Sequence, residues 1–223
     1  MKIICLKENL KQNLNIAQNI VGKNLSLPIL NNLLLETEGG RLKISSTNLE
    51  IGINTWTSGK VEKEGATTAP AKILYSFISS LPNKKIELEV KNNILNVKCE
   101  SYGAAIKCLS ADDFPIIPKI KDELLAEIEG ELLASSLEKV VGVAANSELR
   151  PEITGVLFEF EKENLRLVAT DSFRLAEKKI AGVVHQGAAV RAVIIPQRTG
   201  QELIRILSEK KTDLKMVLGS NQI

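Results

Sequence analysis

The sequence predicts an α+β protein built from repeated domains, with antiparallel sheets and helices on one face. Three observations carry this. The chain matches itself when displaced by 123 positions. Each copy then runs helix, strands, helix, strands in the same order. A proline heads the second helix of each copy, Pro70 in the first and Pro196 in the second. Runs of strands separated from helices, with short polar turns between them, give antiparallel sheets covered on one face.

The match is specific in places. Asn32-Leu33-Leu34-Leu35-Glu36-Thr37-Glu38 falls on Gly155-Val156-Leu157-Phe158-Glu159-Phe160-Glu161. Without a gap, Arg41-Leu42-Lys43-Ile44-Ser45-Ser46-Thr47-Asn48 falls on Asn164-Leu165-Arg166-Leu167-Val168-Ala169-Thr170-Asp171. The first helix is read from Leu6, Leu10, Leu14, Ala17 and Val21, and its counterpart from Leu133, Leu137, Val140, Val141 and Ala144, all at helical spacing. Alternating apolar and polar residues make strands of 33–38 and 42–46, joined at Gly39-Gly40, and of 156–161 and 165–169, joined at Lys162-Glu163. The second helices follow Pro70 (Ile73, Leu74, Phe77, Ile78, Leu81) and Pro196 (Leu203, Ile204, Leu207), since proline suits the first helical turn. Strands at 86–90, 94–100 and 102–109 close the first copy. Asp112-Asp113-Phe114-Pro115-Ile116-Ile117-Pro118-Lys119 reads as an extended connector, dividing the chain into domains 1–118 and 119–223. The second copy ends at Ile223, near the position equivalent to Leu95, so its last strands are expected to lie outside these residues.

Composition narrows the function. In 223 residues, 29 Lys and Arg face 27 Asp and Glu, a formal net charge of +2. That excludes a strongly basic nucleic-acid binder but leaves room for a locally basic face. Hydrophobic residues at 44% and charged residues at 25% exclude disorder and collagen. No apolar run approaches the roughly 18–20 residues of a membrane span. Charge comes too early in Met1-Lys2-Ile3-Ile4-Cys5-Leu6-Lys7 for a secretory signal. Cys5, Cys99 and Cys108 form no CxxC pair, and with His185 they make a poor metal set, so no metal or cofactor is expected and a reducing cytoplasm is the simpler reading.

Helix faces offer the clearest binding chemistry. Lys7, Lys11, Asn15, Gln18 and Asn19 lie opposite the leucines of the first helix, with Lys23 beyond its end. Lys72, Ser76, Ser79 and Ser80 mark the second helix, and Lys139 accompanies Glu131 and Glu138 on the third. Arg198, Arg205, Lys210 and Lys211 share the last helix with Glu202 and Glu209. Taken singly these are solvated faces. Gathered on one side, they meet phosphates without reading bases.

Catalytic constellations are thin. No Gly-x-Ser-x-Gly, Walker-type loop or Gly-x-Gly-x-x-Gly occurs. Asp112-Asp113 can be written as an acid–base pair, although adjacent carboxylates beside prolines are more often a solvated turn. Cys99, Cys108, Trp56 and Phe77 read as core, His185 as an incidental surface residue. The scattered aromatics do not form a single-strand stacking array.

Seven stretches in order, Leu27-Pro28-Ile29-Leu30-Asn31-Asn32-Leu33-Leu34-Leu35, Thr47-Asn48-Leu49-Glu50, Gly65-Ala66-Thr67-Thr68-Ala69-Pro70-Ala71-Lys72, Leu109-Ser110-Ala111-Asp112-Asp113-Phe114-Pro115, Val168-Ala169-Thr170-Asp171-Ser172-Phe173-Arg174-Leu175-Ala176, Val193-Ile194-Ile195-Pro196 and Gly219-Ser220-Asn221, span almost the whole chain. Together they resemble the bacterial DNA polymerase III beta subunit, the replicative sliding clamp. The resemblance implies the DNA-clamp fold, with antiparallel sheets outside and helices lining one inner face, and a non-enzymatic processivity factor. In that family three similar domains per chain close as a head-to-tail homodimer around duplex DNA, so a third domain would lie outside these residues. The implied partners are double-stranded DNA held without sequence readout, the polymerase III alpha subunit, the clamp loader and other proteins with clamp-binding peptides.

Carried over residue by residue, the resemblance places a partner-peptide cleft at Arg150, Ile153, Thr170, Ser172, Phe173, Arg174 and Leu175. DNA contacts are implied at Lys7, Lys11, Lys23, Asn24, Lys72, Lys139, Asn146, Ser147, Arg150, Arg198 and Arg205. Lys23 stands where the family often has arginine, and Asn146-Ser147-Glu148-Leu149-Arg150-Pro151-Glu152 has two acids and no aromatic. The head-to-tail face maps to Lys72, Ile73, Ala104 and Ile106, with strand 102–109 offering an edge to its neighbour. Two rivals remain. One is an enzyme on a duplicated α+β scaffold using Asp112, Asp113 or Asp171 with His185; the other is a peptide-binding module unconnected to DNA.

Overall fold

Buried Ile3 and Cys5 alternate with part-exposed Lys2 and Ile4, and that period of two makes the first element a strand, β1 (Lys2–Leu6). The computed structural model of the chain describes residues 1–22, 27–118, 124–146, 150–183, 191–209 and 212–219. It divides into two units, Met1–Ile117 and Pro118–Ile223. Lys23, Asn24, Ser147, His185, Lys210, Lys211, Ser220 and Asn221 lie outside the described residues.

In the first unit β1 leads into α1 (Lys7–Gln18), followed by a 3-10 turn at Pro28–Asn31. β2 (Asn32–Glu38), β3 (Arg41–Thr47), β4 (Gly52–Lys63) and β5 (Ala66–Pro70) then precede α2 (Ala71–Ser80), and β6 (Lys85–Lys91), β7 (Ile94–Cys99) and β8 (Tyr102–Lys107) close the unit. All strand pairs are antiparallel, in the order β5-β2-β3-β4-β1-β6-β7-β8. Gly39 and Gly40, with φ of 56° and 74°, make the two-residue turn between β2 and β3, where both central residues must be left-handed. β4 is long enough to pair with β3 through its first half and with β1 through its second. The two ends of the strand order meet, since the Thr68 N–H donates to the Leu109 carbonyl at 3.3 Å. α1 lies on β3 and β4 and against α2, which touches β5 and β8. Leu10, Leu14, Leu74 and Ile78 from the helices meet Ile3, Leu33, Leu35, Leu42, Ile44, Leu88 and Leu95 from the strands in one core. Each such side chain contributes about 1.5–3 kcal/mol through burial.

The second unit repeats this plan. β9 (Leu124–Glu129) leads into α3 (Gly130–Glu138) and 3-10 turns at Val141–Val143 and Pro151–Ile153. β10 (Gly155–Glu161), β11 (Asn164–Thr170), β12 (Leu175–Ala181) and β13 (Arg191–Pro196) come next, then α4 (Gln197–Glu209) and β14 (Asp213–Val217). The order β12-β11-β10-β13 reproduces β4-β3-β2-β5, and β14-β9 reproduces β6-β1. β12 stops at Ala181, so among the described residues no long strand joins the two sheets. Leu133 and Leu137 on α3 and Leu207 on α4 bury against Phe158, Phe160, Leu165 and Leu167.

The structure corrects several sequence expectations. Leu6 ends β1 and is 53% exposed; its helical spacing from Leu10 is coincidental. α3 ends at Glu138, and Val140, Val141 and Ala144 reach the core through the following turn. Pro70 and Pro196 are the last residues of strands, immediately before the helices rather than in their first turns. Trp56 is 42% exposed on β4, where its indole N–H donates to Glu38 at 2.9 Å, so it is not a core residue. Its β4 neighbours Thr55 and Thr57 face inward instead.

Candidate functional site

The residues expected to bind peptide converge on the link between β11 and β12. Asp171 organises it. Its Oδ1 accepts the backbone N–H groups of Phe173 at 3.0 Å and Arg174 at 2.7 Å, while its Oδ2 accepts Nε and Nη2 of Arg174 at 3.0 and 2.9 Å. These donors, the Arg174 N–H first, hold the Asp171 carboxyl down at about 2. The Thr170 hydroxyl accepts the Ser172 N–H at 3.1 Å and donates to the Arg174 carbonyl at 2.7 Å. Ser172 takes a left-handed φ of 74°, which closes the turn.

Arg150 is joined to this loop from the 3-10 turn before β10. Its Nη1 donates to the Ser172 hydroxyl at 3.0 Å and its Nε to Glu152 at 3.3 Å. Ile153, half-buried in the same turn, has its carbonyl fixed by the Ala145 N–H at 2.9 Å. The consequence is an apolar pair held out to solvent, Phe173 at 96% and Leu175 at 67% exposure. That figure excludes Leu175 from the core. Two apolar side chains on a hydrogen-bonded loop, rimmed by the guanidinium groups of Arg150 and Arg174, suit an extended peptide that brings apolar side chains and acceptors together. In the sequence Asp171 reads only as a potential acid; its alignment with Asn48 across the repeat is the available signal that it caps a turn.

The cations of the sheets are neutralised in part. On the sheets Lys2 meets Glu62 at 3.0 Å and Glu87 at 3.5 Å, Lys43 meets Glu36 and Glu38, Arg166 meets Glu159, and Lys179 meets Glu161. Arg41, Lys63, Lys85, Lys98, Lys107, Lys178 and Arg191 on the strands form no ion pair with a described residue, and neither do Lys7 and Lys11 on α1, Lys72 on α2, Lys139 after α3 and Arg198 on α4. Arg205 differs, being bound to Glu202 at 2.8 Å one turn away. Asn146 is exposed; Lys23, Asn24 and Ser147 fall outside the described residues.

The residues expected at a self-association face differ in exposure. Lys72 and Ile73 are exposed and, with Ser76, Phe77 and Ser80, line a shallow groove of about 480 Å³ along α2. β8 is a terminal strand of the sheet order, and Ala104 on it is half-buried. Ile106 is corrected: at 6% exposure it belongs to the first-unit core, because the strand's period of two turns it inward. It offers such a face backbone only.

The acid–base alternative finds no poised group here. Asp112 is exposed and accepts from the Ser110 hydroxyl at 3.1 Å, and Asp171 is committed to its turn. Cys5, Cys99 and Cys108 are buried, and burial pushes the Cys5 thiol up to about 12. Among the described residues no group of three or more His, Cys, Asp or Glu is placed to hold a metal ion, and no helix is long and apolar enough to cross a membrane.

Comparison with known proteins gives a consistent result. Residues 1–118 match the N-terminal domain of the DNA polymerase III beta subunit family, and residues 127–223 match its central domain. A beta sliding clamp of Synechococcus elongatus is 28% identical over all of this chain and 60% of its own length. The beta sliding clamp of Escherichia coli K12 is 30% identical over 100% of this chain and 61% of its own. The crystal structure of the DNA polymerase III subunit beta from Pseudomonas aeruginosa superposes with a TM-score of 0.92 at 29% identity, covering 99% of this chain and 60% of that one. The chain thus spans about 60% of the length of the relatives it matches.

Proposed function

The chain belongs to the DNA polymerase III beta subunit family, and from that premise we propose that it serves as part of a ring-shaped sliding clamp. The clamp encircles duplex DNA, has no catalytic chemistry, and tethers the replicative polymerase in the bacterial cytoplasm. Linkage of the ring to the template keeps the polymerase's local concentration high without tight base contacts. The observation that carries this reading is the match of the chain, in order, to the N-terminal and central domains of that family, with a TM-score of 0.92 to a solved member. The helix cations suit it: Lys7, Lys11, Lys72, Lys139 and Arg198, on or beside the helices, form no ion pair with a described residue and are left for an external anion. A surface that must slide needs phosphate attraction and no base readout.

In this reading Phe173, Leu175, Ile153, Arg150 and Arg174 dock the short peptides of the polymerase alpha subunit, the clamp loader and other clamp-binding proteins, on the loop that Thr170, Asp171 and Ser172 hold. Lys23, Asn24, Asn146, Ser147, Arg150 and Arg205 supply further DNA contacts. Ring closure uses the outer backbone edge of β8 together with Lys72, Ile73 and Ala104, in a head-to-tail homodimer. The test is topological. The complete gene product, loaded by its clamp loader on nicked circular DNA, stays bound until the circle is linearised and then runs off. Equal retention on linear and circular DNA overturns the proposal.

A further inference from the structure

The peptide-docking loop of the second unit has a structural twin in the first. At the displacement of 123 positions, Thr47, Asn48 and Leu49 stand for Thr170, Asp171 and Ser172. The Leu49 N–H donates to the Thr47 hydroxyl at 3.0 Å, as Ser172 does to Thr170. Asn48 Oδ1 accepts the N–H groups of Glu50 and Ile51 at 3.0 and 2.7 Å, as Asp171 Oδ1 accepts those of Phe173 and Arg174. Leu49 has a φ of 78° against 74° at Ser172, a conformation that a leucine adopts only under constraint. The 3-10 turn Pro28–Asn31 likewise answers Pro151–Ile153.

Inside this shared frame the chemistry is inverted. Arg150 is replaced by Leu27, Ser172 by Leu49 and Arg174 by Ile51, so every polar group that rims the second loop is aliphatic in the first. Leu175, the exposed apolar residue that begins β12, is replaced by Gly52, which begins β4. Gly52 does not lie open: a Cβ placed on it would stand 2.7 Å from Cγ2 of Ile117 and 3.5 Å from its Cγ1. The connector's own isoleucine therefore occupies the space where the second unit presents a leucine, and any side chain at position 52 would require Ile117 to move.

We propose that residues 47–52 form a second docking loop of the same make, adapted to an internal ligand, the connector around Ile117. The connector already covers the Gly52 end of the first loop, whereas Leu175 at the same place in the second is open. This rests on the reading of the second loop as a peptide site. The connector is fitted to such a role: Phe114-Pro115-Ile116-Ile117-Pro118 is an apolar segment that its two prolines hold extended, and its Ile117 meets the loop at Gly52.

The test displaces the internal ligand and supplies it from outside. Isotope-labelled chains, wild type and Ile117→Asp, are titrated with a synthetic peptide spanning residues 111–120 while the NMR resonances of residues 49–52 are followed. In the variant the peptide shifts these resonances saturably, and a peptide with alanine in place of Ile117 does not. In the wild type its apparent affinity is about tenfold weaker, because the tethered copy competes at a local concentration on the order of millimolar or more. Ile117→Ala, which adds no buried charge, gives the same order of affinities should the aspartate variant misfold. Adding Leu175→Asp leaves the shifts unchanged. The proposal is overturned if neither Ile117 variant shows shifts at residues 49–52, or if Leu175→Asp removes them, which would seat the peptide on the second unit. A partner-type peptide that failed to bind at Leu175 would sink the reading of the second loop alone, leaving the Gly52 shifts in place.

Discussion

The hydroxyl of Thr68 donates to the Leu109 carbonyl at 3.0 Å and accepts the Leu109 N–H at 3.2 Å. One side chain thus joins the terminal strand β5 to the residue pair that follows β8, at the other end of the sheet. Asn32 Nδ2 donates to the same oxygen at 3.0 Å, so the donor and both acceptor sites of the hydroxyl are used. Thr68 is fully buried.

Thr68→Val keeps the shape of the side chain and removes all three bonds. It leaves the Leu109 N–H and the Asn32 amide without this acceptor, a loss of about 1–3 kcal/mol. The urea midpoint of the first unit falls accordingly, and Thr68→Ser recovers most of the loss. An unchanged midpoint would mean that the junction at Thr68 does not hold the sheet.

Burial separates two residues assigned to one interface. Ile106 lies in the first-unit core and Ile73 is 58% exposed on α2. Ile106→Ala leaves a cavity and costs about 2–5 kcal/mol. Ile73→Asp leaves thermal stability near wild type and weakens self-association of the complete gene product, read by analytical ultracentrifugation. The converse pattern would move the proposed face off α2.

Leu175→Asp places a charge on the apolar pair of the second loop without touching the core, since Leu175 is 67% exposed. Binding of a partner-type peptide falls by at least about tenfold, the scale of a single interface anchor, while the melting temperature stays within about 2 °C because surface changes cost little. Unchanged peptide affinity, measured by fluorescence anisotropy, would place the cleft elsewhere.

Asp171 predicts the acid behaviour of that loop. Its carboxyl titrates at about 2 in the folded chain, below the roughly 3.9 of an unperturbed aspartate. A depressed carboxylate contributes stability that is complete above its unfolded value and lost as pH falls through the folded one. Peptide binding is therefore flat between about pH 5 and 8, and the loop loosens only between about pH 4 and 2. Carbon-detected NMR of the carboxyl gives the midpoint directly; a value near 4 would show that the Arg174 clasp is not formed. Asp171→Asn keeps the Oδ1 acceptor but releases the Arg174 guanidinium, and because that pair is exposed it weakens peptide binding by at most about fivefold.

The strands β2, β3, β10 and β11 and the helices after Pro70 and Pro196 are legible because their signals are local: period two, period 3.6, and a repeat that holds register without gaps through the strands. What stays hidden depends on residues distant in sequence. β1 is masked by Leu6, whose spacing from Leu10 and Leu14 imitates a helix although its side chain faces solvent. Ile106 resembles an interface residue because only the finished sheet shows which side of β8 meets the core. Trp56 resembles core because an indole usually is, whereas here Glu38 accepts its N–H at the surface. In the cleft, residue types are legible and exposure is not: no pattern in Ser172-Phe173-Arg174-Leu175 says that the turn ejects Phe173 and Leu175 together.

The unpaired helix cations make a prediction that separates them from a neutralised cation on the sheet. Removing one cation–phosphate pair lowers the slope of log affinity against log salt by about 0.9 on duplex DNA. Lys11→Ala and Arg198→Ala, on helices and without ion pairs to described residues, each flatten the slope by about that amount, equally on unrelated sequences, when the complete gene product is titrated with a short duplex. Lys2→Ala is the control: its ammonium is held between Glu62 and Glu87 on β4 and β6, so its loss removes a cation already neutralised. The slope then stays unchanged, or steepens slightly as two carboxylates are uncovered. If Lys2→Ala flattened the slope as much as Lys11→Ala, the helix face would have no special part in holding DNA. The charge argument for encirclement would fall with it, whatever the fold resembles.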